Sequence, residues 1–180
     1  FGEKFVFEDR KLILEKSGFK FLNVRNQDVP TYVMHGAADL GVVGLDVLEE
    51  KEYDLIKLLD LKLGKCKVAF GLRAGESINF DKSKITIATK HEKIAKKYFE
   101  EKAMAVEIIK LYGSIELAPL VGLCDCIVDI VETGETMKQN GLEVGPTIMQ
   151  SSAHLIANKN SFYAKKDAIF NLKDRIEKYL

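Results

Sequence analysis

Residues 126–136 read CIVDIVETGET: an apolar run holding one acid, followed by two threonines around a glycine. A short apolar run bounded by turn residues is the pattern of a buried strand in a parallel sheet. The loop from Glu132 to Thr136 then falls at the carboxyl end of that strand, where open α/β sheets bind ligands. Gly134 lets the backbone come close to a bound group, and Thr133 and Thr136 offer hydroxyls. A helix is expected from about Met137, and a helix amino end with free N–H groups favours an anion, a phosphate above all. Asp125 and Asp129 lie just upstream, and acids so placed can hold sugar hydroxyls or a Mg²⁺-bound ligand. The stretch therefore suits a sugar phosphate. A tight turn with a capping threonine accounts for the same residues.

The flanking sequence supports the strand reading. KITIA (84–88), AVEIIKL (105–111) and CKVAFGL (66–72) are further strands, the last with Cys66, Val68, Phe70 and Leu72 on one face. ADLGVVG (38–44) is a glycine-bounded apolar run, expected as a buried parallel strand, with a helix from about Asp46. The first 25 residues read as short strands turning at Glu8-Asp9 and Ser17-Gly18. Asp28 is expected to cap the helix that opens at Pro30. Thr89 and Glu92 have the spacing of a capping box, ahead of a stripe of Ile94, Ala95, Tyr98 and Phe99. ELAPLVGL (116–123) suggests a short helix, TIMQSSAHLIANK (147–159) a returning strand, and Ile169, Leu172, Ile176 and Leu180 a terminal amphipathic helix. Residues 75–83 are polar and read as a crossing between lobes. Strands alternating with helices define an α/β fold with mostly parallel sheets.

Composition excludes several classes. The 180 residues are 47% hydrophobic, enough for a sizeable core. The 27 basic and 27 acidic residues balance, which argues against nucleic acid or a membrane surface as partner. No apolar run approaches the ~20 residues that span a bilayer, and no signal peptide is evident, so a cytoplasmic setting is expected. Cys66, Cys124 and Cys126 are odd in number and lack zinc spacing, which fits a reducing compartment. His35, His91 and His154 are far apart and read as surface or satisfied core residues. The lysines of KHEKIAKKYFEEK (90–102) read as a solvated helix face.

GSIELAPLVGLCDCIVDIVETGETMKQNGL (113–142) closely resembles the signature of the ATP phosphoribosyltransferase family, and NQDVPTYVMHGAADLGVVGLDVLEE (26–50) resembles a second block of it. The resemblance implies two α/β lobes of the type II periplasmic-binding-protein kind with the active site in the cleft between them. Lobe I is expected at 1–81 and 151–180, and lobe II at 82–150. The implied reaction joins ATP and phosphoribosyl diphosphate into N1-phosphoribosyl-ATP and pyrophosphate, with Mg²⁺, at the start of histidine biosynthesis. By position, Glu132, Thr133, Gly134, Glu135 and Thr136 would take the 5′-phosphate. Asp129, together with Asp125, would take the ribose hydroxyls, and Asp39, Leu40 and Gly41 would line the nucleotide side. Arg25, Glu116 and Asp129 are the expected catalytic residues, Arg25 as a polyphosphate contact. The transition state is oxocarbenium-like and needs alignment and charge stabilisation rather than a nucleophile. Two polyanions in one cleft need a locally positive site, expected from Arg25, Arg10 and Arg73.

The sequence departs from the family at three places. The family's leading strand, Lys-Gly-Arg motif and helix are not present; Phe1-Gly2-Glu3 joins the pattern after them, as if the chain were truncated or given without them. That segment would add a strand to lobe I and basic groups to the cleft. Cys124-Asp125-Cys126 replaces Ala-Asp-Ala, a packing change rather than a redox or metal feature. The chain ends at Leu180 after one helix, as in the short form, which implies a separate regulatory subunit resembling histidyl-tRNA synthetase and a homodimer within a hetero-oligomer. The rival readings are a non-enzymatic two-lobe protein that binds a small anion, and a phosphoribosyltransferase for another base.

Overall fold

Ser17 and Gly18 both take positive φ, 54° and 77°, as a two-residue type I′ hairpin turn requires. They join β1 (Ile13–Lys16) to β2 (Phe19–Leu22) in a computed structural model that describes residues 6, 7, 10–79 and 82–180. The turn expected at Glu8-Asp9, the Phe1-Gly2-Glu3 start and Asp81 lie outside the described residues. A 3₁₀ turn at Asn26–Asp28 leads into α1 (Val29–Met34), with Pro30 in its first turn, where an absent N–H costs nothing. Asp28 occupies the N-cap position but makes no cap bond. The turn before it leaves its backbone helical, at φ −99° and ψ −19°, where a cap needs extended geometry.

Two larger sheets follow. The first holds β3 (Leu40–Gly44), β4 (Ile56–Asp60) and, between them and antiparallel to both, β10 (Ala153–Ala157). β3 is therefore not the parallel strand expected from ADLGVVG, and its Val42 is half exposed. Val33 of α1, Val43, Ile156, and Val47 and Leu48 of α2 (Leu45–Lys51) form the core here. Among the described residues the other edge of β3 carries no strand. It faces a groove of about 930 Å³ beneath the hairpin, lined by Phe19, Phe21, Tyr32, Val42, Leu172 and Ile176 among others.

The second sheet has the order β7-β6-β8-β5-β9, with β5 (Cys66–Arg73), β6 (Ile85–Thr89), β7 (Val106–Lys110), β8 (Cys126–Val131) and β9 (Leu142–Ser151). The helix α3 (Glu92–Glu101) covers one face, packing Ile94 and Phe99 on Val68, Phe70 and Val128. The Phe70 and Phe99 rings meet edge-on at 5.8 Å. The short helices α4 (Leu117–Leu120) and α5 (Glu135–Gln139) bring Ala118 and Met137 onto Ala69 and Ile127 on the other face. Burial on both faces makes β5 a nearly continuous apolar run. The chain ends in α6 (Lys159–Ala164) and α7 (Lys166–Glu177), where Ile169 is buried while Leu180 lies beyond the helix and half exposed.

The α/β class holds, with mixed sheets. Among the described pairs, β6 runs parallel to β7 and β8, and every other pairing is antiparallel. The reason is the two passages between sheets, which send β5, β9 and β10 against their neighbours. One passage is at 61–65 and the other at Ser151–Ala153, stitched together by Leu61 N–H to Ala153 O and Ala153 N–H to Leu63 O, each 2.9 Å. This moves the expected lobe boundary. β5 belongs with the second sheet, and the polar stretch at 75–83 connects β5 to β6 within that sheet instead of crossing between lobes. The capping box at Thr89 does not form either. Thr89 stays in β6, where its hydroxyl donates to Val128 O at 2.6 Å and accepts from His91 N–H at 2.9 Å.

Candidate active site

Strand register decides which residues share a cleft. In β8, Val131 pairs with Lys67 at the start of β5, and Cys66 pairs with Ser151 at the end of β9. The carboxyl end of β8 thus lies at the junction between the sheets. β6 and β8 are parallel with Thr89 opposite Val128, so Lys90, His91 and the 132–136 loop share that edge. In the first sheet Gly44 pairs with Ala153, so the carboxyl end of β3 and the start of α2 face the same junction. Arg25 immediately precedes the 3₁₀ turn that leads into α1, and α1 packs Val29 and Val33 over Gly41 of β3. The hairpin is continued by Asn23 N–H to Leu12 O at 2.8 Å.

Asp129 is the buried-looking acid of the opening stretch, and its side chain is 13% exposed. Lys90 Nζ lies 3.0 Å from its Oδ1 and His91 Nε2 3.7 Å. His91 is 2% exposed, and neither ring nitrogen has a hydrogen-bond partner. Burial, aided by the Lys90 charge, holds its pKa below the ordinary histidine value. Beyond Asp129 the chain turns through Gly134, at φ 84°, where a β-carbon would also meet Val144 Cγ2 at 2.9 Å. Glu132, Thr133, Glu135 and Thr136 are exposed around that turn. Thr133 Oγ1 accepts the Glu135 N–H at 3.3 Å. Met137 is buried beneath and fixes the loop to the sheet. Glu116 is half-buried at the head of α4, in the loop leaving β7 on this same edge.

Several sequence-derived site residues lie elsewhere. Asp125 begins the passage into β8, four residues before Asp129, a displacement of about 13 Å along a strand. It accepts from Lys82 Nζ at 2.6 Å and Thr86 N–H at 2.9 Å, and the lysine holds its carboxyl below the usual range. Asp125 therefore anchors the far end of the sheet and cannot share a ribose with Asp129. Arg73, at the end of β5, is also remote from the junction. It bonds Glu76 at 2.9 Å and Pro119 O at 3.2 Å.

Asp39, Leu40 and Gly41 sit at the amino end of β3, opposite Ala157 and Ile156, away from the junction and along the groove. Asp39 pairs with Lys165 at 2.8 Å, which lowers its pKa. Gly41 serves packing, since a β-carbon there would come within 2.7 Å of Val29 and 2.8 Å of Val33. Cys124 and Cys126 are buried, and desolvation pushes Cys126 up to about 12, so its thiol stays protonated.

Four cleft residues were not read as site residues in the sequence: Lys90, expected on a solvated helix face, pairs with Asp129 ahead of the helix; His91, expected on the surface or satisfied in the core, is buried with neither ring nitrogen bonded; Asp46 and Glu50 complete the set. Asp46, buried at the start of α2, accepts the Ser151 hydroxyl at 2.8 Å and returns its own N–H to that oxygen at 3.1 Å. The two residues weld the sheets at their junction. Glu50 of α2 accepts from the Lys93 N–H at 3.0 Å and the Ile94 N–H at 3.2 Å, capping α3 across the junction. Lys93 Nζ adds an exposed pair to Glu52 at 2.5 Å. Position after a strand end was the available signal for Lys90 and Asp46.

Known proteins bear on this cleft. The family model described as ATP phosphoribosyltransferase matches residues 25–178. A protein of that name from a Sulfurovum species is 66% identical over 177 residues, covering 98% of this chain and 86% of its own. One from Wolinella succinogenes is 66% identical over 178 residues, covering 99% and 86%. Among solved structures, a chain of the ATP phosphoribosyl transferase (HisG:HisZ) complex from Thermotoga maritima superposes with TM-score 0.83 at 36% identity, covering 98% of this chain and 87% of that one. A substrate-binding protein of an amino acid ABC transporter superposes with TM-score 0.59 at 14% identity, covering 84% and 69%, which bears out the two-lobe binding-protein fold alone.

Proposed function

The chain belongs to the ATP phosphoribosyltransferase family, and from that premise we propose how its cleft carries out the family's reaction. The reaction moves the phosphoribosyl group of phosphoribosyl diphosphate to N1 of ATP and releases pyrophosphate, the first step of histidine biosynthesis. Family membership at this identity disfavours the two rival readings, the small-anion binder and the transferase for another base.

The observation that carries the assignment of roles is the register that aligns Asp129 and the 132–136 loop with the start of α2 across one junction. The Thr133-Gly134-Glu135-Thr136 turn is suited to the 5′-phosphate: the positive φ of Gly134 opens its backbone, and the hydroxyls donate to charged oxygens. Asp129 is placed for the ribose hydroxyls. The adenine then approaches from the first lobe, over Gly44–Asp46, with Arg25 and Arg10 facing its polyphosphate. Glu116 stands on the same edge, within reach of the cleft. Holding both substrates in line supplies most of what an oxocarbenium-like displacement needs.

Mg²⁺ fits this cleft as a companion of the diphosphate. Among the described residues no three His, Cys, Asp or Glu side chains cluster as a metal cage, and Mg²⁺ ordinarily binds through one or two carboxylates plus substrate phosphates. Asp129 and Glu132 are the carboxylates at hand. When bound, the ion neutralises charge on the departing pyrophosphate.

The Thermotoga chain that superposes on this one is taken from a HisG:HisZ complex, in keeping with the short form. A partner of the HisZ kind, as in the Thermotoga complex, and a cytoplasmic setting complete the reading. Among the described residues no helix is long and apolar enough to cross a membrane.

The test is direct. ATP, Mg²⁺ and phosphoribosyl diphosphate are incubated with the protein and a pyrophosphatase, with and without a HisZ-type partner, while the absorbance of N1-substituted adenine is followed. In parallel, Asp129→Asn is titrated with phosphoribosyl diphosphate by calorimetry. Product formation with impaired Asp129→Asn binding supports the roles; unchanged affinity removes Asp129 from the site.

A further inference from the structure

The loop assigned to the phosphate has the wrong charge. Glu132 and Glu135 flank Thr133 and Gly134, and Asp129 stands behind them, yet the substrate brings a 5′-phosphate and a diphosphate. The cation nearest this acid cluster is Lys90. It follows β6 on the edge shared with Asp129, its side chain is 39% exposed, and its Nζ lies 3.0 Å from Asp129 Oδ1. Lys110, at the end of the neighbouring β7, is tied to Glu92 at 2.5 Å, which raises its pKa, and Lys67 also lies at this edge, opposite Val131. His91 cannot serve, being buried and held below its ordinary pKa.

We infer that Lys90 is a partner-switching cation of the phosphoribosyl subsite: paired with Asp129 in the empty cleft, it passes to a phosphate oxygen of phosphoribosyl diphosphate once the ribose hydroxyls occupy Asp129. This rests on the placement of Asp129 in the site. The exchange keeps the acid neutralised while the cleft is empty, so that it accepts a hydroxylated anion without first repelling it. Lysine suits the exchange because its flexible stem lets a point charge move between partners. His91 Nε2, without a hydrogen-bond partner, lies 3.7 Å from the same oxygen, and the Ile130 N–H donates to that oxygen at 2.7 Å, so the carboxylate keeps a donor when Lys90 departs.

The experiment compares Lys90→Met, Lys90→Arg, Asp129→Asn and the Lys90→Met/Asp129→Asn pair, in the complete enzyme with its partner, by steady-state kinetics and by calorimetry with phosphoribosyl diphosphate and Mg²⁺. Lys90→Met is expected to raise KM and Kd for phosphoribosyl diphosphate about tenfold or more, as loss of a charge-assisted bond implies. KM for ATP is expected to stay unchanged and Lys90→Arg to recover most of the loss. The Lys90→Met loss persists in the Asp129→Asn background if the lysine meets the substrate. If it vanishes there, Lys90 only holds Asp129 in place and the proposal is overturned. If Lys90→Met binds like the parent while Asp129→Asn does not, the lysine proposal fails and the site stands. If neither variant is impaired, the site itself is misplaced.

Discussion

Glu50→Ala removes the carboxylate that caps α3 from the other half of the molecule. Two backbone donors lose their acceptor: the Lys93 N–H, at 3.0 Å, and the Ile94 N–H, at 3.2 Å. A lost N-cap acceptor costs about 1 kcal/mol, and a lost negative charge at a helix amino end adds about 0.3–1 kcal/mol. Glu50→Ala should therefore destabilise by about 1.3–2 kcal/mol. Glu50→Gln, which keeps an acceptor oxygen, should lose only the charge contribution, about 0.3–1 kcal/mol. Because the cap links α2 to α3 across the junction, the alanine variant should also loosen the two halves. Urea denaturation of the parent and both variants gives the first quantity, and small-angle scattering the radius of gyration for the second. An alanine variant within about 0.5 kcal/mol of the parent, the range of ordinary surface changes, and with unchanged scattering, would refute the cap as an inter-lobe contact.

Gly41→Ala places a methyl within 2.7 Å of Val29 Cγ1 and 2.8 Å of Val33 Cγ2. Such overpacking should cost about 1–3 kcal/mol in thermal or urea unfolding, while KM for ATP stays put; a raised KM with intact stability would return Gly41 to the nucleotide side. His91→Phe tests the buried imidazole. Its folded pKa is depressed below 6.5 by burial, so the unfolded chain binds the extra proton, and the parent loses stability as pH falls below 6.5 toward the folded value. The phenylalanine variant should lose less than the parent between pH 7 and about 5.5, above the ordinary carboxylate range. Lys90, Asp129, Glu50 and Asp46 all face this ring, so equal slopes would mean that their fields offset the burial.

The sequence disclosed what local periodicity controls. The α3 stripe buries Ile94, Ala95 and Phe99 as its spacing predicts, and CIVDIV is a strand ending in a turn at Gly134. What stayed hidden depends on partners distant in the chain. β4, with IKLLD, has no pattern of its own and becomes a strand by pairing with β10, about 95 residues later. The same remote strand makes β3 antiparallel to its neighbour. Asp125 and Asp129 look equivalent in sequence, yet strand direction puts one at each end of β8. Thr89 has the spacing of a capping box, but a bond to Val128 O keeps it in the sheet. The turn at 132–136, proposed for the phosphate, was legible as a turn because all its parts are contiguous; Lys90 and Glu50 were not, because their partners come from other strands and helices.

The position of β10 has a bearing on how the molecule is made. The second sheet is built from one uninterrupted stretch, Cys66 to Ser151, and can close as soon as that stretch has left the ribosome. The first sheet cannot: its middle strand, Ala153–Ala157, is synthesised last, long after β3 and β4 on either side. Those two strands wait with unpaired edges throughout, the most aggregation-prone interval of synthesis. The half of the molecule that is translated first is thus the half that is completed last.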